Sequence, residues 1–221
     1  MKPKIAYSLA VLILITAVLA IASPGKDNPR PPKYSCNPSI DAWVKNNKHR
    51  LENLSRKEIG DLSADSAAGV FACMSPMHKY TLVKEKLLIS YASLTAKEKP
   101  YFDELLKMYS VRVYENDTVR KNFQQFTGQW EEKVKIDLHW SGIKIAELTA
   151  TLADEQQIKN RLARFNHIID PKLNNVCNCT TTVWCQAVLG AGFRCVTQNP
   201  CDGNNNDCGV CLCQACTGFC M

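Results

Sequence analysis

Apolar side chains recur at helical spacing through the middle of the chain. Tyr80, Val83, Leu87 and Tyr91 share one stripe, and Ser75-Pro76 before them is a helix start: a serine N-cap with proline in the first turn. Thr95 and Glu98 have the spacing of a capping box, opening a second helix with Phe102, Leu105, Leu106 and Tyr109 on one face. A third stripe runs through Val119, Phe123, Phe126, Trp130, Val134 and Leu138, with Gly128 as its weak point. A fourth, Ile158, Leu162, Phe165 and Ile169, stops at Pro171. The stretch Ile40–Cys73 is less regular but carries Trp43, Val44, Leu51, Leu54, Ile59, Leu62, Val70 and Phe71. The pattern predicts a mainly α fold, with a small helical domain over residues 36–172 whose stripes are packing faces rather than ligand boxes.

The amino terminus has another pattern. Lys2 and Lys4 precede an uncharged apolar run from Ile5 to Ala22, which ends in Ala20-Ile21-Ala22 before Ser23. A basic start, an apolar core and a small-x-small site predict a secretory signal peptide over residues 1–22, cut after Ala22. The alternative is an uncleaved anchor formed by residues 5–22. Either delivers the remainder across a membrane, so the expected location is extracellular or periplasmic. Residues 23–35 hold Pro24, Pro29, Pro31 and Pro32 among Lys26, Arg30 and Lys33, the composition of an extended linker.

Composition changes the picture at the carboxyl end. The chain has 221 residues, a net charge of +6 and ordinary proportions of apolar and charged residues, which excludes wholesale disorder. Its twelve cysteines are unevenly placed. Cys36 and Cys73 stand alone, while Cys177, Cys179, Cys185, Cys195, Cys201, Cys208, Cys211, Cys213, Cys216 and Cys220 crowd the last 45 residues. Turn formers separate them, among them Gly190, Gly192, Pro200, Asp202-Gly203 and Gly209. So short a segment cannot bury enough apolar surface to fold unaided. Residues 173–221 therefore read as a loop-rich module stapled by disulfides, each adding roughly 2–4 kcal/mol. Ten cysteines can pair among themselves, leaving Cys36 to pair with Cys73 or both to stay free. Connectivity is open. The aromatic residues of the module, Trp184, Phe193 and Phe219, are expected to fill its own small core, the alternative being an exposed surface for protein or carbohydrate contact.

Metal binding is the rival reading. Cys208-x-x-Cys211 and Cys213-x-x-Cys216 look like two zinc knuckles, but only Leu212 separates them and the module has no histidine. Delivery outside the cytosol also favours disulfides, so no metal or cofactor is expected. His49, His78, His139 and His167 are far apart, and there is no H-E-x-x-H, G-x-S-x-G or phosphate-binding glycine loop. No catalytic set emerges, and the expectation is a protein that is not an enzyme and does not bind nucleic acid. The module carries only Arg194, Asp202 and Asp207, so the basic surplus belongs to the linker and helices. A tail so weakly charged would not attack anionic lipid by charge alone.

The run Asn178-Cys179-Thr180-Thr181-Thr182 with Cys185, the Cys208-Gly209 step and the closing Cys213-x-x-Cys216-x-Gly218-x-Cys220 resemble the pattern of the bacteriocin fulvocin C. The whole layout resembles the bacterial family of bacteriocin fulvocin C-related proteins: a signal peptide, a helical region with a Leu-Ser-Pro-x-x-Lys-x-x-Leu segment, and a terminal cysteine module. The matching helical segment here is Met74-Ser75-Pro76-Met77-His78-Lys79-Tyr80-Thr81-Leu82. The resemblance implies a secreted precursor whose tail is an antibacterial peptide. A processing protease would release it near Pro171–Asn175, and a target-cell receptor or surface protein would bind it. The alternative expectation is an intact secreted or surface-held binding module, or an inhibitor, with the cysteine-rich end as its recognition knob.

Overall fold

A computed structural model describes residues 33–35, 37–154, 156–157, 195–197, 210–212 and 218–220. The fold is mainly α. Its helices are α1 (Pro38–Leu51), α2 (Arg56–Gly60), α3 (Ala64–Cys73), α4 (Pro76–Ala92), α5 (Lys99–Met108), α6 (Arg112–Glu115), α7 (Asp117–Leu138) and α8 (Gly142–Thr149). Two short strands, β1 (Cys195–Thr197) and β2 (Gly218–Cys220), pair antiparallel, and a 3-10 turn covers Val210–Leu212.

Short polar side chains set most of the helix starts. Asn37, Ser55, Ser63, Ser75, Asn116 and Ser141 each turn a side-chain oxygen onto the free amides of the first turn. At Ser55 the capping is reciprocal, because the Glu58 carboxylate also accepts from the Ser55 amide at 2.8 Å. The Thr95–Glu98 box forms too, with Glu98 accepting from the Thr95 amide and hydroxyl, both at 2.9 Å. The regular helix begins only after it, at Lys99. At the far end of α7, His139 takes a left-handed backbone (φ 52°) and the Trp140 amide reaches back to the Val134 carbonyl. That turn lays Trp140 against Trp130.

Helix α4 is the hub, packing against α2, α5, α6 and α8, while α1 lies against α3 and α7 against α5 and α6. It can do so because its buried face is broad: Leu82, Val83, Lys86, Leu87 and Ser90 are all covered. Trp130 meets both Phe102 and Trp140 edge to face, with ring centres 6.2 Å apart in each case. The Trp130 indole donates to the Tyr101 carbonyl at 2.7 Å, so this polar edge is satisfied inside the core.

One boundary differs, and two stretches of the expected helical domain gain definite helices. The linker ends earlier than residue 35, since Tyr34 and Ser35 are buried on α1. The reason is local: the Tyr34 amide donates to the Asp41 carboxylate at 2.7 Å, and the Asn37 amide donates to the Ser35 hydroxyl. The irregular stretch before residue 73 resolves into three capped helices. An eighth helix, α8, occupies residues left unassigned between the third and fourth stripes. The fourth stripe itself, from Ile158, lies outside the described residues, as do residues 1–32. Among the described residues no helix is long and apolar enough to cross a membrane.

Gly128 sits inside α7 with nothing within 4 Å of the place a Cβ would occupy. Gly128→Ala is therefore expected to raise stability by about 0.5–1 kcal/mol in chemical denaturation, through backbone entropy alone. A loss of stability would mean that this face of α7 is covered.

Candidate functional site

The cysteine-rich end meets the helical domain at Val210–Leu212. These residues retain only 3, 0 and 8 % of their exposure and belong to the same buried cluster as Leu87, Phe102 and Trp130. Val210 and Leu212 are thus buried in one core with the helices. The helices bring several aromatic pairs to the same buried cluster. Tyr80 and Tyr109 face each other at 5.2 Å, Tyr109 and Phe123 at 5.8 Å, and Phe71 and Tyr114 at 6.1 Å. Burying a valine or leucine there stabilises by about 1.5–3 kcal/mol each.

One polar contact fixes the register of the seat. The Tyr114 hydroxyl, from α6, donates to the Cys211 carbonyl at 2.6 Å, and the Tyr109 and Tyr114 hydroxyls lie 2.9 Å apart. Helix α8 abuts the 3-10 turn on another side. Cys211 and Leu212 have φ of 56° and 51°, the left-handed region that costs a residue with a Cβ about 1–2 kcal/mol. Such a conformation persists where its surroundings over-determine it.

Beside the seat, three side chains tie down the end of α8 and the chain that leaves it. Ser90 donates to the Leu148 carbonyl at 2.9 Å, Arg56 to Leu152 at 2.7 Å and Lys86 to Ala153 at 3.0 Å. Arg56 is itself held by Glu85 at 2.9 Å. Gln157 closes the set, donating to the Lys57 carbonyl and the Asp61 carboxylate, both at 2.9 Å. Its amide lies over Gly60, where a Cβ would collide with Gln157 Oε1, so glycine makes room for it. Asp154 and Gln157 also cap each other: the Asp154 amide donates to Gln157 Oε1 at 3.0 Å and the Gln157 amide to the Asp154 carboxylate at 2.8 Å. Burial pushes the Lys86 ammonium down to about 8; the Arg56 charge adds to that shift, while Asp154 and Glu147 oppose it.

A second hub joins the α4–α5 corner to the α7–α8 corner. Besides its Thr95 contacts, Glu98 accepts from Lys144 at 2.6 Å and from the Trp140 indole at 2.9 Å. The Lys144 hydrogen bond and the Thr95 amide hold its carboxyl far below the usual range, at about 2.

Of the cysteines singled out from sequence, Cys36, Cys177, Cys179, Cys185, Cys201, Cys208, Cys213 and Cys216 lie outside the described residues, as do Trp184, Phe193 and His167. Cys73 is buried at the end of α3 with a free thiol, and burial pushes that thiol up, with Glu52 adding to the shift. The β1–β2 register sets the backbone of Cys195 opposite that of Cys220, and Val196 opposite Phe219. Cys211 supplies the carbonyl of the seat. Among the described residues no group of three or more His, Cys, Asp or Glu side chains is placed to hold a metal. The His78 ring Nε2 donates to the Leu54 carbonyl, 3.0 Å away, and His139 shapes the α7–α8 turn.

No family model, no curated protein and no solved structure matches the chain.

Sequence reasoning missed Tyr114, Arg56, Lys86, Ser90 and Gln157. Lys86 and Ser90 had a visible signal: both fall on the α4 stripe, one residue before Leu87 and Tyr91. Tyr114 had none, because its partner is 97 residues away.

The Lys86 environment predicts a pH dependence. Below about pH 8 the amine is charged in both folded and unfolded chains. Between about 8 and 10.5 the unfolded chain holds the extra proton, so folding gains as pH rises. Compared with Lys86→Met, the native protein should gain stability from pH 7 to pH 10 in urea titrations. A difference independent of pH would contradict a buried, charge-strained Lys86.

Proposed function

We propose that the protein is a secreted, bacteriocin-like protein in which a helical scaffold carries a disulfide-stapled, antibacterial carboxyl-terminal module. The observation that carries this reading is the seating of Val210–Leu212 in the helical core. A domain that buries three consecutive residues of the cysteine-rich end is suited to hold that end in place. The crowding of ten cysteines in the last 45 residues, behind a secretion-type amino terminus, supports the rest, together with the resemblance to the fulvocin C-related pattern. The backbones of Cys195 and Cys220 face each other in the β1–β2 register. The weak charge of the tail favours a receptor or surface protein on the target cell over bulk lipid. A protease acting near Pro171–Asn175 would free the tail. The reading has no catalytic step, cofactor or nucleic acid.

The same burial favours a second reading. A tail rooted in the helical core also suits a protein that stays whole and presents the cysteine-rich end as a binding knob.

The two separate in a growth assay. The tail fragment, purified from cut and unreduced full-length protein, is applied to related bacteria beside the intact protein. The precursor reading expects inhibition by the fragment alone, little changed by modest salt. No effect from either sample would contradict it and favour the binding module.

A further inference from the structure

We propose that the helical domain grips Val210–Leu212 without a covalent bond, so that cutting the chain between the two leaves the cysteine-rich end bound. Release then takes two events, a cut and a loosening of the seat. The inference concerns the contact itself and holds whatever the tail does once free.

Every helical residue named in the seat precedes the segment that a protease would cut. Tyr109 caps the end of α5, Tyr114 lies in α6, and α8 ends at Thr149. A cut after Gln157 thus removes nothing from the seat. On the other side, three consecutive residues are buried in one cluster with the helical core, and their central carbonyl is taken by Tyr114 at 2.6 Å. The Tyr109 hydroxyl at 2.9 Å steadies that donor, so the hydroxyl is positioned before the segment arrives. The left-handed backbone of Cys211 and Leu212 is a shape that a free segment seldom adopts, so the seat holds it rather than merely meeting it. A departing segment would expose Val210 and Leu212 to water together and leave the Tyr114 hydroxyl without this acceptor. Each of these steps slows dissociation.

The test uses the full chain with a specific protease site inserted at residues 171–175, cut under unreduced conditions and run on a native sizing column. The two fragments are expected to elute together, yet to separate on an unreduced denaturing gel. Leu212→Asp places a charge in the apolar seat and is expected to free the tail at once. Tyr114→Phe removes one hydroxyl and is expected to speed release about two- to tenfold, with the helical circular dichroism unchanged. It serves as the milder variant if Leu212→Asp does not fold. Separation of the two fragments of the cut protein, without either substitution, on the native column would overturn the proposal. So would fragments that stay joined on the denaturing gel, or a Tyr114→Phe protein that releases its tail no faster than the parent.

Discussion

A single hydroxyl, that of Tyr114, joins the two ends of this protein's logic. It reaches the Cys211 carbonyl at 2.6 Å and brings the cysteine-rich end into the core built by the helices. Around it stand rings that are also the helices' own packing: Tyr109 against Tyr80 and Phe123, and Tyr114 against Phe71. The seat is therefore no appendage. Val210 and Leu212 belong to the same buried cluster as these rings, so the seat is continuous with the helical core.

The polar contacts serve the same end at a distance. Ser90, Arg56 and Lys86 hold the carbonyls of Leu148, Leu152 and Ala153, so the chain leaves α8 along a fixed line. Burying a lysine for one carbonyl is costly, and the depressed proton affinity of Lys86 records that cost. Glu98 does the matching work at the opposite corner, where it locks Trp140 and Lys144 to the start of α5. With both corners pinned, α8 has little freedom to move away from the 3-10 turn it abuts.

Much of the helical domain could be read from the residues. The Ser75-Pro76 start, the Thr95–Glu98 box and the stripes through Val83 and Leu87, Phe102 and Leu105, and Phe123, Trp130 and Val134 all describe real faces. They were legible because each depends on neighbours three or four places apart. Helix α8 was not, because its eight residues form too short a stripe to stand out. The seat was not legible for a deeper reason. Val210 and Leu212 are apolar residues in a cysteine-rich run, and nothing local distinguishes packing within the tail from packing against Tyr114, 97 residues before its acceptor. Glu98 lies between these cases: its capping role is written in the spacing, while its bonds to Trp140 and Lys144 depend on how the corners meet.

Amide hydrogen exchange across the intact, unreduced protein addresses the seat most directly. If the cysteine-rich end is rooted as described, the backbone of Val210–Leu212 exchanges slowly, with protection approaching that of Leu87 in α4 and Trp130 in α7. Exchange at the rate of open, solvent-washed chain at those three residues, with α4 and α7 still protected, would contradict the account.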